Sequence, residues 1–543
     1  MANGEKDEPQ YVEDAAAKLD PNYLEEATEA TIIEHSLGRW ENFKIYYKGV
    51  FWSIFVSLCI IMRAYDIEIM GNFYALPSFQ KKFGKQLPSG EWQVPAKWQV
   101  ALNYGNTVGQ IVGPLLVTYP MEWWGRRKTL MLYLAISACL VFMQFFAPNI
   151  HVLTGSEYLC GIVWGGYQVI APTYASECLS LGLRPYLTGY INLCYVMGQF
   201  IQTGVTRGFL NRTDEWAYRI PFSIQWVWPV VITFGLLFAP ESPWWLIRKD
   251  RFEEAEKMLG RLMVPNDKVN PQKVISMMIR TDQVERELSK GLTFWDCFRG
   301  PNARRTEISV IIYVLQNFSG NPVGYASYFF EQVGLNVTQS FDMGIGLNAL
   351  GFVGTCLSVI PLLFFGHRTI FVFGFALIII ILFIVALLCF AHDYKTNKTY
   401  GWVQAVLLVV LDFVWQLAQG PLAYIISTEA PSARLRARTL GLAAALDSVS
   451  GIVTTVLGPY LLNPGALNTG AKSQFFYGGM SIFFWTWCFF RLPEMKGRTM
   501  EELDLMFERK IPTRKFGSYE FAEAEHVKGS GVKDAGITTH EIA

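Results

Sequence analysis

Arg63 and Asp66 stand three residues apart in Met62-Arg-Ala-Tyr-Asp66, inside a stretch that is otherwise apolar. On a helix turning about 100° per residue, that spacing keeps both charges on one face, where they can pair. Glu68, Glu157, Asp412 and Asp447 are likewise embedded in apolar runs. A charge in such a setting is costly to bury, so each is a candidate for proton movement, ion pairing or ligand contact. Asp66 reads as a proton carrier or as half of a structural pair with Arg63. Glu157 is the second candidate carrier, and two facing carboxyls would titrate as one coupled unit. Glu68 points away from Asp66 and reads as a solvated group near a helix end.

A second set of residues is neutral. Gln199, Gln202, Gln316, Asn317 and Asn321 supply amide donors and acceptors within apolar runs, and Tyr424 supplies an aromatic face with a hydroxyl. Such groups suit a neutral, hydroxyl-rich ligand. The alternative is hydrogen bonding between neighbouring helices. Catalytic signatures are missing from the sequence: it has no phosphate-cradling glycine loop with its lysine, no nucleophile elbow and no histidine pair at metal spacing. The nine cysteines are scattered without a Cys-x-x-Cys pair, as packing residues would be. No cofactor, metal or enzymatic activity is expected.

The elements that must hold these residues follow from composition. Of 543 residues 51% are apolar and only 17% charged, against about 25% charged in soluble domains. Lys plus Arg equals Asp plus Glu at 46 each, which excludes an electrostatically driven nucleic-acid binder. Crossing a hydrocarbon core takes roughly 20 apolar residues. Runs of that kind fall at 50–75, 97–119, 129–147, 154–175, 188–208, 221–239, 306–330, 341–364, 369–391, 401–427, 440–463 and 474–491. The expected fold is therefore an all-α membrane protein of twelve transmembrane helices in two six-helix bundles, 49–239 and 306–491. A linker at 240–305 with amphipathic helices joins them, between tails at 1–48 and 492–543.

The two halves repeat each other's loops. Glu122-Trp-Trp-Gly-Arg-Arg-Lys128 is echoed by Gly366-His-Arg368, Glu177 ahead of Arg184 by Glu429 ahead of Arg434 and Arg436, and Pro240-Glu241 by Pro493-Glu494. A duplicated six-helix unit implies pseudo-symmetric bundles opening alternately to each side. The basic loops share one face, as expected of the cytoplasm, which also places both tails there. Acceptor sequons at Asn211, Asn336 and Asn397 lie in loops on the opposite face and are candidate glycosylation sites.

From Phe51 to Phe507 the chain resembles the sugar porter family of the major facilitator superfamily, above all in Pro240-Glu-Ser-Pro-Trp-Trp-Leu246 and Pro493-Glu-Met-Lys-Gly-Arg-Thr499. Tyr174-Ala-Ser-Glu-Cys178, Gly324-Tyr-Ala-Ser-Tyr-Phe-Phe330 and Gly470-Ala-Lys-Ser-Gln-Phe-Phe476 are most similar to fungal α-glucoside (maltose-type) proton symporters. The resemblance implies a monomeric plasma-membrane importer of a sugar, an α-glucoside di- or oligosaccharide, moving with protons. It implies that Asp66 carries the proton, although the family's arginine partner is replaced by Glu157, leaving Arg63 as the nearby cation. It places Gln199, Gln316 and Tyr424 at sugar-contacting positions. Glu122, Arg126, Arg127, Glu177, Arg184, Glu241, Glu429, Arg434, Arg436, Glu494 and Arg498 read as a gate network whose carboxylate–guanidinium pairs hold one bundle against the other, or else as topology anchors and solvated helix ends. Alternatives are a transporter of another polar small molecule, a facilitative sugar uniporter, or a sugar sensor that does not transport.

Overall fold

The computed structural model describes Ile33 and residues 39–519, apart from 87–91, 181–182, 265–268, 290–292, 321–325, 333, 393, 395–397, 433–434, 464–466, 468, 497 and 499. Asn321, Arg434 and Asn397 thus lie outside the described residues, as does the side chain of Arg184.

Helices follow the apolar runs. In the first half these are α1 (Arg39–Phe73), a short α2 (Pro77–Phe83), then α3 (Ala96–Trp124), α4 (Arg126–Phe145), α5 (Ile150–Cys178), α6 (Arg184–Phe209), α7 (Trp216–Ile224) and α8 (Val227–Leu236). Between α2 and α3 lies a small antiparallel hairpin of Lys85–Gln86 and Trp92–Gln93. The linker folds as α9 (Pro243–Arg248), α10 (Phe252–Leu262) and α11 (Pro271–Ser289). The second half is α12 (Gly300–Phe318), α13 (Ala326–Gln332), α14 (Val337–Leu357), α15 (Val359–Phe364), α16 (His367–Leu387), α17 (Lys398–Glu429), α18 (Arg436–Leu462) and α19 (Gln474–Arg491), followed by α20 (Met500–Glu508). Among the described residues, six helices are long and apolar enough to cross a membrane by length and composition.

Three of the expected continuous spans are broken: 306–330 ends its helix at Phe318, ahead of Gly320 at φ +73°, and proline explains the other two. A proline has no N–H for the carbonyl four residues earlier, and its ring crowds that carbonyl. Pro229 does this to Gln225, where α7 gives way to α8, and Pro361 does it to Leu357, where α14 gives way to α15. The break at Pro229 has a use, since it sets the Gln225 amide in the bundle interior (see below).

Glycine lets α3 and α5 meet closely. A Cβ on Gly109 of α3 would come within 2.6 Å of the Gly161 backbone on α5, so only bare backbone lets the two helices meet at this depth. That approach brings α3 side chains directly onto the α5 face that carries Glu157.

The apolar core is asymmetric along the membrane normal. At the end that carries Asn211 and Asn336, one buried cluster unites the two bundles, with Phe73, Tyr74 and Phe79 joining Tyr328, Phe329, Phe330 and Phe341. At the end that carries Arg126, a separate cluster belongs to the first bundle alone, built on Val117, Leu130, Tyr133, Trp164 and Tyr174. The linker helices bury Leu246, Ala255, Leu259, Ile275 and Met278 against Ile45 and Tyr46 of α1, as their amphipathic pattern requires.

Candidate functional site

A cavity of about 310 Å³ lies between the bundles, at the lower end of the range for small-molecule sites. The first bundle lines it with Asn103, Asn106, Thr107 and Gln110 of α3, and the second with Gln316 and Asn317 of α12, Thr454 and Thr455 of α18, and Gln474 and Tyr477 of α19. Nearly every polar group is neutral and both donates and accepts hydrogen bonds.

Behind this wall the first bundle buries two carboxyls. Asp66, fully excluded from solvent, accepts from Trp164 Nε1 at 2.6 Å, Gln225 Nε2 at 2.9 Å and Gln144 Nε2 at 3.1 Å. Gln144 Nε2 also donates to Glu157 Oε1 at 2.8 Å. One amide of α4 thereby links an acid of α1 to an acid of α5. Asn106 Nδ2 donates to Glu157 Oε2 at 3.4 Å, and Gln110 Nε2 donates to Asn106 Oδ1 at 2.5 Å. The chain of hydrogen bonds ends at Arg63, whose guanidinium donates to Gln110 at 2.5 Å and Gln168 at 3.0 Å and lies over the Tyr195 ring.

This geometry corrects the expected Arg63–Asp66 pair. Three residues make about 300°, leaving the side chains some 60° apart; at the centre of a bundle that divergence sends Asp66 inward and Arg63 toward the cavity. Arg63 also lies close enough to Asp447 and Tyr424 of the other bundle to act on them electrostatically. Asp447 accepts from Asn317 Nδ2 at 2.7 Å. Glu68 is a second correction: it is 2% exposed rather than solvated, because the contact between the bundles covers it.

Of the expected ligand-contacting residues, Gln316 and Asn317 line the cavity. Gln202 does not, being bonded to Asn72 and Thr206 as glue between and within helices. Gln199 is buried, and Tyr424 packs edge-on against Tyr313; neither is part of the cavity wall. Gln144, Trp164, Gln225, Asn106 and Gln110 were not singled out in the sequence. Each is a polar or N–H-bearing residue in an otherwise apolar helix, a signal the sequence does carry.

The sequon-bearing end is sealed by contacts from bundle to bundle. Ser327 donates to Asn72 at 2.6 Å, Asn348 to Thr203 at 3.1 Å and Gln93 to Tyr328 at 2.9 Å, while Arg207 pairs with Asp342 at 2.6 Å.

At the opposite end the charges tie neighbours within each bundle. Arg126 pairs with Glu177 at 2.7 Å, and Arg248 also pairs with Glu177. Glu241 caps α4, accepting from the backbone N–H of Arg126 at 2.9 Å and of Arg127 at 3.2 Å. Burial pushes the Glu241 carboxyl above its usual range, against the pull of those N–H groups and of Arg126. Glu494 repeats the arrangement, accepting from His367 N at 2.8 Å and Arg368 N at 3.1 Å, while His367 Nδ1 lies 3.4 Å from Glu429. Arg127 and Arg368 each donate to a carbonyl near the end of their own six-helix unit's last span, Leu237 and Phe489. Glu122 is exposed, and its carbonyl accepts from Trp245 Nε1. Arg498 instead donates to the carbonyls of Phe516 and Tyr519, so it clamps the C-terminal segment.

Residues 52–507 match the family model described as sugar (and other) transporter. A general alpha-glucoside permease of Saccharomyces cerevisiae is 34% identical over 507 residues, covering 92% of this chain and 81% of that one. A maltose permease of the same yeast is 35% identical, covering 91% and 81%. Among solved structures, an inward open conformation of the xylose transporter XylE from E. coli superposes with a TM-score of 0.65 at 18% identity, covering 84% of this chain and 99% of that one. The XylE proton:xylose symporter bound to 6-bromo-6-deoxy-D-glucose gives 0.65 at 19%, covering 86% and 100%.

Proposed function

The chain belongs to the sugar transporter family, and from that premise we propose that it imports an α-glucoside di- or oligosaccharide together with protons across the plasma membrane. The observation that carries this reading is the double role of Asn106, which lines the cavity and hydrogen-bonds Glu157. A sugar hydroxyl that engages Asn106 or Gln110 redirects amides otherwise spent on each other and on Glu157. Through Gln144 the change reaches Asp66, so occupancy of the cavity and protonation of the acid pair are coupled.

The cycle follows from the seal. With the sequon loops outside and the basic loops cytoplasmic, this conformation is closed to the outside. Opening outward breaks the Asn72–Ser327 and Thr203–Asn348 contacts and lets the Arg126, Glu177 and Glu241 cluster meet the other bundle. Closing it again carries sugar and proton inward together. Asp66 is the carrier, and Glu157 shares its proton through Gln144.

The test is uptake by proteoliposomes of purified protein, with and without an imposed inward proton gradient, across maltose, other α-glucosides, hexoses and uncharged non-sugar solutes. Gradient-driven accumulation of an α-glucoside supports the reading. Accumulation of a non-sugar alone, or equilibration indifferent to the gradient, overturns it.

A further inference from the structure

Gly470-Ala-Lys-Ser-Gln-Phe-Phe476 has no part in the mechanism above, yet it delivers Ser473 and Gln474 to the cavity wall. The segment makes one tight helical turn, Gly470–Ser473, and runs straight on into α19, which brings Tyr477 to the same wall one turn later. Gln474 is 3% exposed, and its Oε1 meets no hydrogen-bond donor among the described residues. Amides that join helices are satisfied by their neighbours, as Gln202 is by Asn72 and Thr206. A buried amide on a cavity wall with an acceptor left over is costly unless a ligand in the cavity supplies the donor.

The depth of Gln474 in the cavity follows from a contact further along its helix. Ser481 Oγ donates to the Phe318 carbonyl at 3.2 Å, which sets α19 against the end of α12 where Gln316 and Asn317 lie. Gln474 precedes Ser481 by seven residues, so it stands about 10 Å away along the helix. That direction is outward, because the turn Gly470–Ser473 packs on α13, the helix that carries Ser327 and Tyr328 of the seal. The other walls match this length. α3 lines the cavity from Asn103 to Gln110 and α18 from Thr454 to Leu462, or about 10–12 Å of helix each.

One pyranose ring with its hydroxyls does not reach from Asn317 to Gln474, whereas two linked rings do. Tyr477, one turn inward of Gln474, offers an aromatic face at the depth between the two amide groups. We propose that Gln474 and Tyr477 form an outer subsite for the second pyranose ring of a disaccharide, with Gln316 and Asn317 holding the first. A hydroxyl of the outer ring donates to Gln474 Oε1, and the Tyr477 ring covers a C–H face of the saccharide. Affinity then depends on the number of rings. The proposal rests on the reading that the cargo is an α-glucoside, and deepens it by naming the residues that tell a disaccharide from a single ring.

The test uses full-length protein in nanodiscs, without a proton gradient, and measures equilibrium binding of maltose and of methyl α-D-glucopyranoside, one ring with the same linkage. The parent is expected to bind maltose about tenfold more tightly. Gln474→Leu removes the acceptor at nearly constant volume and should lower that ratio about fivefold to tenfold, whereas Gln316→Ala should weaken both sugars and leave the ratio near its parent value. Tyr477→Leu should also lower the ratio, and decides the question where Gln474→Leu does not fold. A ratio unmoved by these outer-subsite substitutions, or a parent with no preference for maltose, overturns the proposal. The underlying reading fails differently. A parent that binds neither sugar removes the α-glucoside cargo and the subsite with it, whereas a maltose preference without gradient-driven uptake removes the symport and leaves the subsite standing.

Discussion

Asn106 stands on the cavity wall and donates its Nδ2 to Glu157 Oε2 at 3.4 Å. Glycine makes this contact possible, because Gly161, one turn from Glu157 on α5, packs its bare Cα against the Asn106 backbone. Ligand site and acid pair are thus separated by one side chain.

Asn106→Ala is therefore expected to weaken the coupling more than the binding. Downhill sugar exchange should persist, with affinity reduced about twofold to tenfold for one lost hydrogen bond, while accumulation driven by a proton gradient falls steeply. Parallel measurement of counterflow and gradient-driven uptake decides the matter; equal losses in both would place Asn106 in the sugar site only.

Arg63→Ala separates two accounts of the span-one charges. Since Arg63 contacts Gln110 and Gln168 and not Asp66, the pH optimum of uptake should stay in place while apparent sugar affinity drops, because the cavity-side amide of Gln110 loses its anchor. An upward shift of the optimum with unchanged affinity would restore the Arg63–Asp66 pair.

Gln316→Ala should weaken sugar binding by about 0.5–1.5 kcal/mol, or more if a sugar hydroxyl is left unpaired. Gln199→Ala should change affinity far less, since its side chain lies off the cavity wall. Equilibrium binding to the two purified variants compares them directly, and a larger loss in the Gln199 variant would move the site toward α6.

Gly125→Ala tests the cap on α4. Gly125 has φ +89°, and a Cβ there would come within 2.6 Å of Glu241 Oε2. With ψ 175° as well, the substitution adds about 1–3 kcal/mol of backbone strain and pushes the carboxylate off the Arg126 and Arg127 N–H groups. A lowered Tm with near-normal sugar affinity in the surviving protein is the expected result; an unchanged Tm would mean that the cap contributes nothing.

What could be read in the sequence was whatever depends on one helix at a time. The apolar runs, the repeated Gly125/Gly366 and Glu241/Glu494 loops and the buried acids all come from local pattern. The partners of those acids do not. Asp66 finds Gln144 and Trp164 on two other helices and Gln225 at the break between α7 and α8, and a spacing argument along α1 alone favoured Arg63 instead. Glu68 misled for the same reason: its face is covered by the other bundle, which no periodicity within one helix reports. The breaks at Pro229 and Pro361 were visible as prolines, but an apolar run looks continuous whether or not its helix is.

Asp66→Asn keeps an acceptor oxygen for Gln144 and Gln225, which share Oδ1, sets an amide NH2 against the Trp164 indole N–H, and removes the group that takes and releases a proton. The most direct measurement is internal pH in proteoliposomes loaded with a fluorescent indicator, with no imposed gradient, after maltose or another α-glucoside is added outside. The account predicts that sugar acidifies the interior in the parent protein and leaves it unchanged in Asp66→Asn, although labelled sugar still exchanges. Sugar entry without acidification in the parent protein, or undiminished acidification in the variant, would contradict it.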